Sequence, residues 1–121
     1  MSLVCLAAAG ATTRLAAAIT LVWTHSVQKT RWEEDWRATP AGLMLTEGRV
    51  EGSGAGMEVP DGAVREGRFW RWHPALPPQG EVRLRRSGAT ADWQVCIAGR
   101  CRPMGDLVPP QADPVTMTVC D

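Results

Sequence analysis

The chain has 121 residues, 45% of them apolar, with 13 basic and 13 acidic side chains, which is enough for one hydrophobic core. The formal net charge of zero argues against nucleic-acid binding, which needs a basic face, and against electrostatic attachment to a membrane surface. We therefore predict a single domain over residues 1–121 that binds no nucleic acid.

Apolar and polar residues alternate with a period of two along most of the chain, which indicates β-strands. Turn residues recur about every 8–12 residues, and only segments 61–66 and 104–108 have room for a single helical turn. We predict an all-β fold, a small antiparallel β-sandwich or barrel of about 7–10 short strands. The strands that the alternation defines cover 3–9, 19–25, 31–37, 43–50, 68–73, 82–86, 91–97, 100–104 and 115–120.

The N-terminal part is apolar but does not predict a membrane span. The runs 3–9 and 15–23 are separated by Arg14, and neither reaches the roughly 20 residues that cross a bilayer. The first four residues carry no charged side chain of the kind that begins a signal peptide. The compartment stays open: periplasmic or membrane-associated if a leader has been removed, and cytoplasmic otherwise.

Two of the four cysteines predict a disulfide within one hairpin. If residues 98–99 form a two-residue turn, Cys96 lies directly opposite Cys101 in the closer, non-hydrogen-bonded pair, where the Cβ separation suits a disulfide. A zinc site is disfavoured, because the spacing is at the edge of the usual range and only His25 and His73 could complete it. Two further cysteines lie on the terminal strands, and their pairing stays open: Cys5 and Cys120.

Three predicted strands place an ionisable residue on the face that is otherwise apolar: His25, Glu34 and Arg86. The segment 26–30 is short enough for a hairpin, which would bring His25 near Glu34, and Arg86 could then form a two-bond pair with Glu34. A shielded charge must be paired, so this polar cluster is either a ligand site or, as the sequence favours, a structural ion pair. The cluster comprises His25, Ser26, Lys29, Glu34, Arg86 and Ser87.

A small hydrolase using His25, Glu34 and a serine is an alternative interpretation. Adjacent residues of a strand point to opposite faces, so His25 is badly placed to activate Ser26. Ser53 and Ser87 are other candidate nucleophiles, but the sequence contains no Gly-x-Ser-x-Gly elbow. We therefore expect a non-enzymatic protein with no metal and no cofactor.

Two further segments have composition that suggests binding. Gly52, Gly54 and Gly56 form a loop whose backbone N–H groups could hold an anion, but neither a helix nor a lysine follows, so a turn with positive φ is favoured. The segment Phe69–Trp72 could stack on a sugar or a base, although tryptophans in such a pattern more often fill a core.

Three motifs carry a resemblance to a known family. They are Trp-Thr-His-Ser-Val-Gln-Lys at 23–29, Gly-Ser-Gly-Ala-Gly-Met at 52–57 and Arg-Ser-Gly-Ala-Thr-Ala-Asp-Trp at 86–93. Together they resemble the bacterial family known as domain of unknown function 1850, over most of the chain. The positions that match the family pattern have no assigned role, and they are His25, Ser26, Lys29, Glu34, Gly54 and Gly56.

The resemblance implies a partner. Members of that family are often encoded beside the membrane components of tripartite ATP-independent periplasmic transporters, so the partner would be a transporter membrane subunit or its solute-binding protein. We therefore expect a non-enzymatic accessory or ligand-binding module associated with a membrane solute transporter. A plain protein-interaction module, in which the polar cluster is purely structural, is a further alternative.

Overall fold

The computed structural model describes residues 1–24, 30–52, 61–86, 88 and 91–121. These residues form eleven strands and one short 3-10 helix, Met104–Asp106, which confirms the all-β prediction. The strands are β1 Leu3–Ala8, β2 Ala11–Arg14, β3 Ala18–Thr24, β4 Arg31–Thr39, β5 Gly42–Glu51, β6 Val64–Glu66, β7 Phe69–Trp72, β8 Glu81–Leu84, β9 Gln94–Ile97, β10 Arg100–Pro103 and β11 Val115–Cys120.

The strands form two antiparallel sheets that share one core, as expected for a small β-sandwich. The four-stranded sheet has the order β2-β1-β11-β8, and the seven-stranded sheet has the order β10-β9-β3-β4-β5-β7-β6. Their facing sides contribute side chains that are fully shielded from solvent. Burying one such apolar side chain stabilises the fold by about 1.5–3 kcal/mol. Examples from both sheets are Val4, Leu6, Met117, Leu21 and Leu43.

Two strands were not predicted from the sequence, and each is an edge strand of its sheet. β2 and β6 consist largely of exposed residues, so neither has an apolar face to produce a period-two pattern. The segment 61–66, a candidate for a helical turn, ends instead in β6. The other candidate, 104–108, does contain the 3-10 turn. No helix among the described residues is long and apolar enough to cross a membrane.

The disulfide prediction for the β9–β10 hairpin is confirmed. Ala98 and Gly99 both have positive φ, 51° and 81°, which is the backbone of a two-residue hairpin turn of the primed type. Cys96 therefore pairs with Cys101 in the register, and their sulfurs are bonded. A second disulfide joins Cys5 to Cys120. Because both sulfurs of the hairpin pair are bonded to each other, neither is free to ligate zinc.

Candidate functional site

The alternation along β4 divides its residues between the two faces of the seven-stranded sheet. Trp36 is shielded inside the core, and Trp32 and Glu34 point to the same inner side. The antiparallel register with β3 places Trp23 opposite Trp32 and Leu21 opposite Glu34. The inner face of this sheet therefore carries a carboxylate within a row of aromatic and aliphatic side chains.

Four tryptophans of the inner face lie outside the buried core, and we call them the tryptophan face: Trp23, Trp32, Trp70 and Trp72. Trp23 and Trp32 stack with their ring centroids 5.2 Å apart and their planes at 11°. Trp72 meets Trp32 edge-on, at 6.3 Å and 84°. The expectation that Phe69–Trp72 fills the core is therefore wrong, because all four of its side chains are only partly buried.

Glu34 lies in the same row across the sheet as Trp72. Its neighbour on β5 is Gly48, and Gly48 is in turn opposite Trp72 on β7. The Trp72 ring covers Gly48 so closely that a Cβ there would lie 2.6 Å from ring atom Cζ2. The absence of a side chain at position 48 thus leaves room for the Trp72 indole over the residue directly opposite Glu34.

The polar contacts of Glu34 are few. The indole Nε1–H of Trp36 donates to Glu34 Oε1 over 3.2 Å, and no ion pair to Glu34 is found among the described residues. Burial raises the pKa of the Glu34 carboxyl, and the hydrogen bond from Trp36 offsets only part of that rise. Glu34 is therefore a partly shielded carboxylate to which the described part of the chain brings no cation.

Two indole donors of the tryptophan face also lack acceptors. Trp32 Nε1 and Trp70 Nε1 are shielded from solvent and have no hydrogen-bond partner within the part of the chain that the structure describes. The large majority of shielded side-chain polar atoms in folded proteins are hydrogen-bonded. The two indole donors are therefore an exception that calls for an explanation.

The predicted pairing of Arg86 with Glu34 is wrong. Arg86 forms its two-bond pair with Asp92, through Nε to Oδ1 at 3.0 Å and Nη2 to Oδ2 at 2.9 Å. Its Nη1 group donates to the carbonyl oxygens of Pro109 and Ala112. The Arg86 guanidinium uses most of its N–H groups in these bonds, so it links Asp92 to the 109–112 segment.

Asp92, which the sequence analysis did not single out, is bonded from four directions. Besides the two bonds from Arg86, it accepts hydrogen bonds from the backbone N–H groups of Trp93 and Gly105. Burial acts to raise the pKa of Asp92, but the bonds from Arg86 and Gly105 outweigh it and hold that pKa below its ordinary value. The only sequence signal is its position in the 86–93 motif, one residue before Trp93.

A cleft of about 510 Å³ adjoins the tryptophan face. Trp23 and Trp93 form its aromatic side, with ring centroids 6.1 Å apart, and the Arg86–Asp92 pair forms its polar side. Trp23 therefore contributes both to the cleft and to the tryptophan face, so the two surfaces are continuous.

The outer face of the same sheet carries a second charged group that the sequence analysis missed. Arg49 donates to Glu33, to both oxygens of Asp35, and to Glu47. Hydrogen bonds from Arg49 lower the pKa of Asp35, and Thr20 adds a further bond at 2.7 Å. These charges are mutually satisfied, so we assign them to holding β4 and β5 together rather than to binding.

Several predicted site residues lie outside the described residues: His25, Ser26, Lys29, Ser53, Gly54, Gly56 and Ser87. The hydrolase interpretation, which needs His25 and a serine, is therefore untested. Gly52, at the start of the glycine-rich loop, is described and has the positive φ of 144° that the turn interpretation expects. Two residues of the predicted polar cluster, Glu34 and Arg86, are among the described residues. Glu34 accepts a hydrogen bond from Trp36, and Arg86 pairs with Asp92.

The comparisons with known proteins identify a family and nothing closer. The family described as a domain of unknown function (DUF1850) matches residues 19–104. This range contains the tryptophan face, Glu34 and the Arg86–Asp92 pair. No curated protein and no solved structure matches the chain. Since the matched range covers well over half of the sequence, the chain belongs to the DUF1850 family.

Proposed function

We propose that this chain is a non-enzymatic ligand-binding module, acting as one unit over residues 1–121, that serves a membrane solute transporter. The observation that carries the proposal is the tryptophan face. Its rings lie outside the core, one of them, Trp23, lines a cleft of about 510 Å³, and two of them carry indole donors without acceptors among the described residues. Small-molecule sites are typically clefts of about 300–1,000 Å³ that combine aromatic walls with a few placed polar groups, and this cleft combines Trp23 and Trp93 with the Arg86–Asp92 pair.

The contacts of Glu34 favour binding over catalysis. A carboxylate that activates a nucleophile of the protein lies within hydrogen-bond reach of it. Within the described residues, the polar contact of Glu34 is the indole of Trp36, which neither titrates nor attacks. A group of this kind contributes charge and shape to a site.

The link to a transporter is supported by the family. The chain belongs to DUF1850, and the resemblance described above connects that family with tripartite transporters, whose membrane subunit or solute-binding protein is the proposed partner. Two disulfides support a location outside the cytoplasm, where such bonds persist. We propose the periplasmic side of the membrane as that location.

Ligand binding is tested by titrating the purified chain with amino acids, dicarboxylates, neutral sugars and organic amines, followed by tryptophan emission and calorimetry. We expect one class to bind and Trp72→Leu to weaken that binding about tenfold or more. The matched control is Val64→Ala, which changes an exposed side chain on edge strand β6. No binding by any class up to about 10 mM would overturn the proposal.

The transporter association is tested separately. The untagged chain is captured with an antibody from native membranes, and co-purifying proteins are identified by mass spectrometry. We expect a membrane subunit or a solute-binding protein of a solute transporter to be enriched over a capture from cells lacking the chain. Recovery of the chain without either protein would contradict the association and leave ligand binding untouched.

A further inference from the structure

Glu34 is the one charged side chain that the inner faces of β3, β4, β5 and β7 present among the described residues. The arginine nearest in the register on β5, Arg49, points to the outer face and is engaged by three carboxylates. The other inner-face residues of these strands are uncharged. Within the described part of these four strands, Glu34 is therefore a lone negative charge between apolar walls, where charges interact more strongly than in open water.

The rings around Glu34 have the geometry of an aromatic corner. Trp32 precedes Glu34 by two residues on the same face, and Trp72 lies over the glycine directly opposite Glu34. The planes of Trp32 and Trp72 meet at 84°, so they form two perpendicular walls. Ring faces carry the negative end of the aromatic quadrupole and attract cations within about 6 Å of the centroid.

A cation already lies on this row of rings. The guanidinium carbon of Arg65, on edge strand β6, is 5.6 Å from the centroid of Trp70. Arg65 is the register partner of Trp70, and Val50 joins Trp70 to Trp32 in the same row across the sheet. Arg65 thus makes a cation–ring contact with Trp70 at the edge of the tryptophan face. The corner formed by Trp32 and Trp72 offers the same kind of contact to a ligand.

The charge of Glu34 decides between ligand classes. An anionic ligand in the corner would face a like charge, which disfavours binding. A neutral sugar would stack on the rings but would leave the carboxylate without a counter-ion. An organic cation would satisfy both features at once, because it pairs with the carboxylate and packs against the ring faces.

We propose that the tryptophan face binds ligands through an organic cation, an alkylammonium or quaternary ammonium group, with Glu34 as counter-ion and Trp32 and Trp72 as aromatic walls. The inference rests on the proposed binding function and narrows it to one chemical class. Glu34 supplies the charge selectivity, and the perpendicular rings select for a compact, weakly hydrated cationic head group.

The test compares choline with 3,3-dimethyl-1-butanol, its neutral isostere with carbon in place of nitrogen, and adds tetramethylammonium and benzylamine as further cations. Binding is followed by calorimetry and tryptophan emission at neutral pH on the full chain. We expect at least one cation to bind, and choline to bind about tenfold or more tightly than the isostere. Glu34→Gln should remove most of this preference.

Glu33→Gln is the matched control, since it makes the same charge change one residue away but on the outer face. It should leave choline affinity unchanged, and circular dichroism and thermal melts establish that each variant folds. Equal affinity for choline and its isostere, or full choline binding by Glu34→Gln, would overturn the inference. If sugars or dicarboxylates bind and no cation does, the ligand class is wrong and the binding function stands; if nothing binds, both fail.

Discussion

Two carboxylates beside tryptophan rings differ sharply in how they are bonded. Asp92 accepts two hydrogen bonds from Arg86 and two from backbone N–H groups, all between 2.8 and 3.0 Å. Within the described ranges of the chain, Glu34 accepts one, at 3.2 Å from Trp36. Most buried polar groups are satisfied by the fold, and exceptions are expected at functional sites. The contrast separates a structural ion pair from a candidate binding residue within one small molecule.

The same contrast appears in the pKa directions. The pKa of Asp92 is held below its ordinary value by bonds from Arg86 and Gly105 that outweigh burial. Burial raises the pKa of Glu34, and the bond from Trp36 does not compensate. Ionisation of Asp92 is therefore favoured by folding, and ionisation of Glu34 is opposed by it.

The largest expected effect comes from breaking the satisfied pair. Asp92→Ala leaves the guanidinium of Arg86, whose side chain is only 9% exposed, without its counter-ion and removes acceptors from two backbone N–H groups. We expect a loss of about 3 kcal/mol or more in the free energy of unfolding, measured by denaturant melts.

Glu81→Ala is the control for Asp92→Ala, because Glu81 is well exposed and its ion-pair contact to Arg83 is long, at 3.9 Å. It should change stability by less than about 1 kcal/mol. If Asp92→Ala were as mild as Glu81→Ala, the Arg86–Asp92 pair would not be structural and the comparison with Glu34 would collapse.

An intermediate effect is expected from filling the gap beside Glu34. In Gly48→Ala the new Cβ would lie 2.6 and 2.7 Å from two atoms of the Trp72 ring, so the ring must shift. We expect a cost of about 1–3 kcal/mol in unfolding free energy, a change in tryptophan emission, and weaker binding of any cation. Gly80→Ala is the control, since a Cβ there meets no atom within 4 Å. Unchanged emission and stability in Gly48→Ala would show that Trp72 does not depend on this gap.

The smallest expected effect is a pH dependence of opposite sign at the two carboxylates. Because folding raises the pKa of Glu34, its contribution to stability is full below its unfolded value of 4.5 and falls as pH rises through the folded pKa. Glu34→Gln should therefore gain stability relative to wild type as the pH rises above about 4.5.

Asp92→Asn should behave in the opposite way. The folded pKa of Asp92 lies below the ordinary value of 3.8, so its contribution is full above that value and falls as pH drops through the folded pKa. The deficit of Asp92→Asn should shrink in acid, as denaturant melts across pH would measure. Parallel pH profiles for the two variants would contradict the assignment of different roles.

The sequence by itself determined the local structure. All nine strands predicted from the sequence are present, and most of them were indicated by a period-two pattern. The Cys96–Cys101 disulfide followed from the turn at 98–99, because a two-residue turn fixes which residues face each other. The placement of Glu34 on the inner face followed in the same way from the alternation along β4.

The tertiary structure decided which charges meet and which aromatic rings stay outside the core. Arg86 pairs with Asp92 instead of Glu34, and its guanidinium lies against the carbonyl groups of Pro109 and Ala112, a contact that no local pattern encodes. The tryptophans of β7 have the alternation of core residues, yet they lie outside the buried cluster that both sheets share. A sequence records which face of a strand is apolar; what packs on that face depends on non-local contacts.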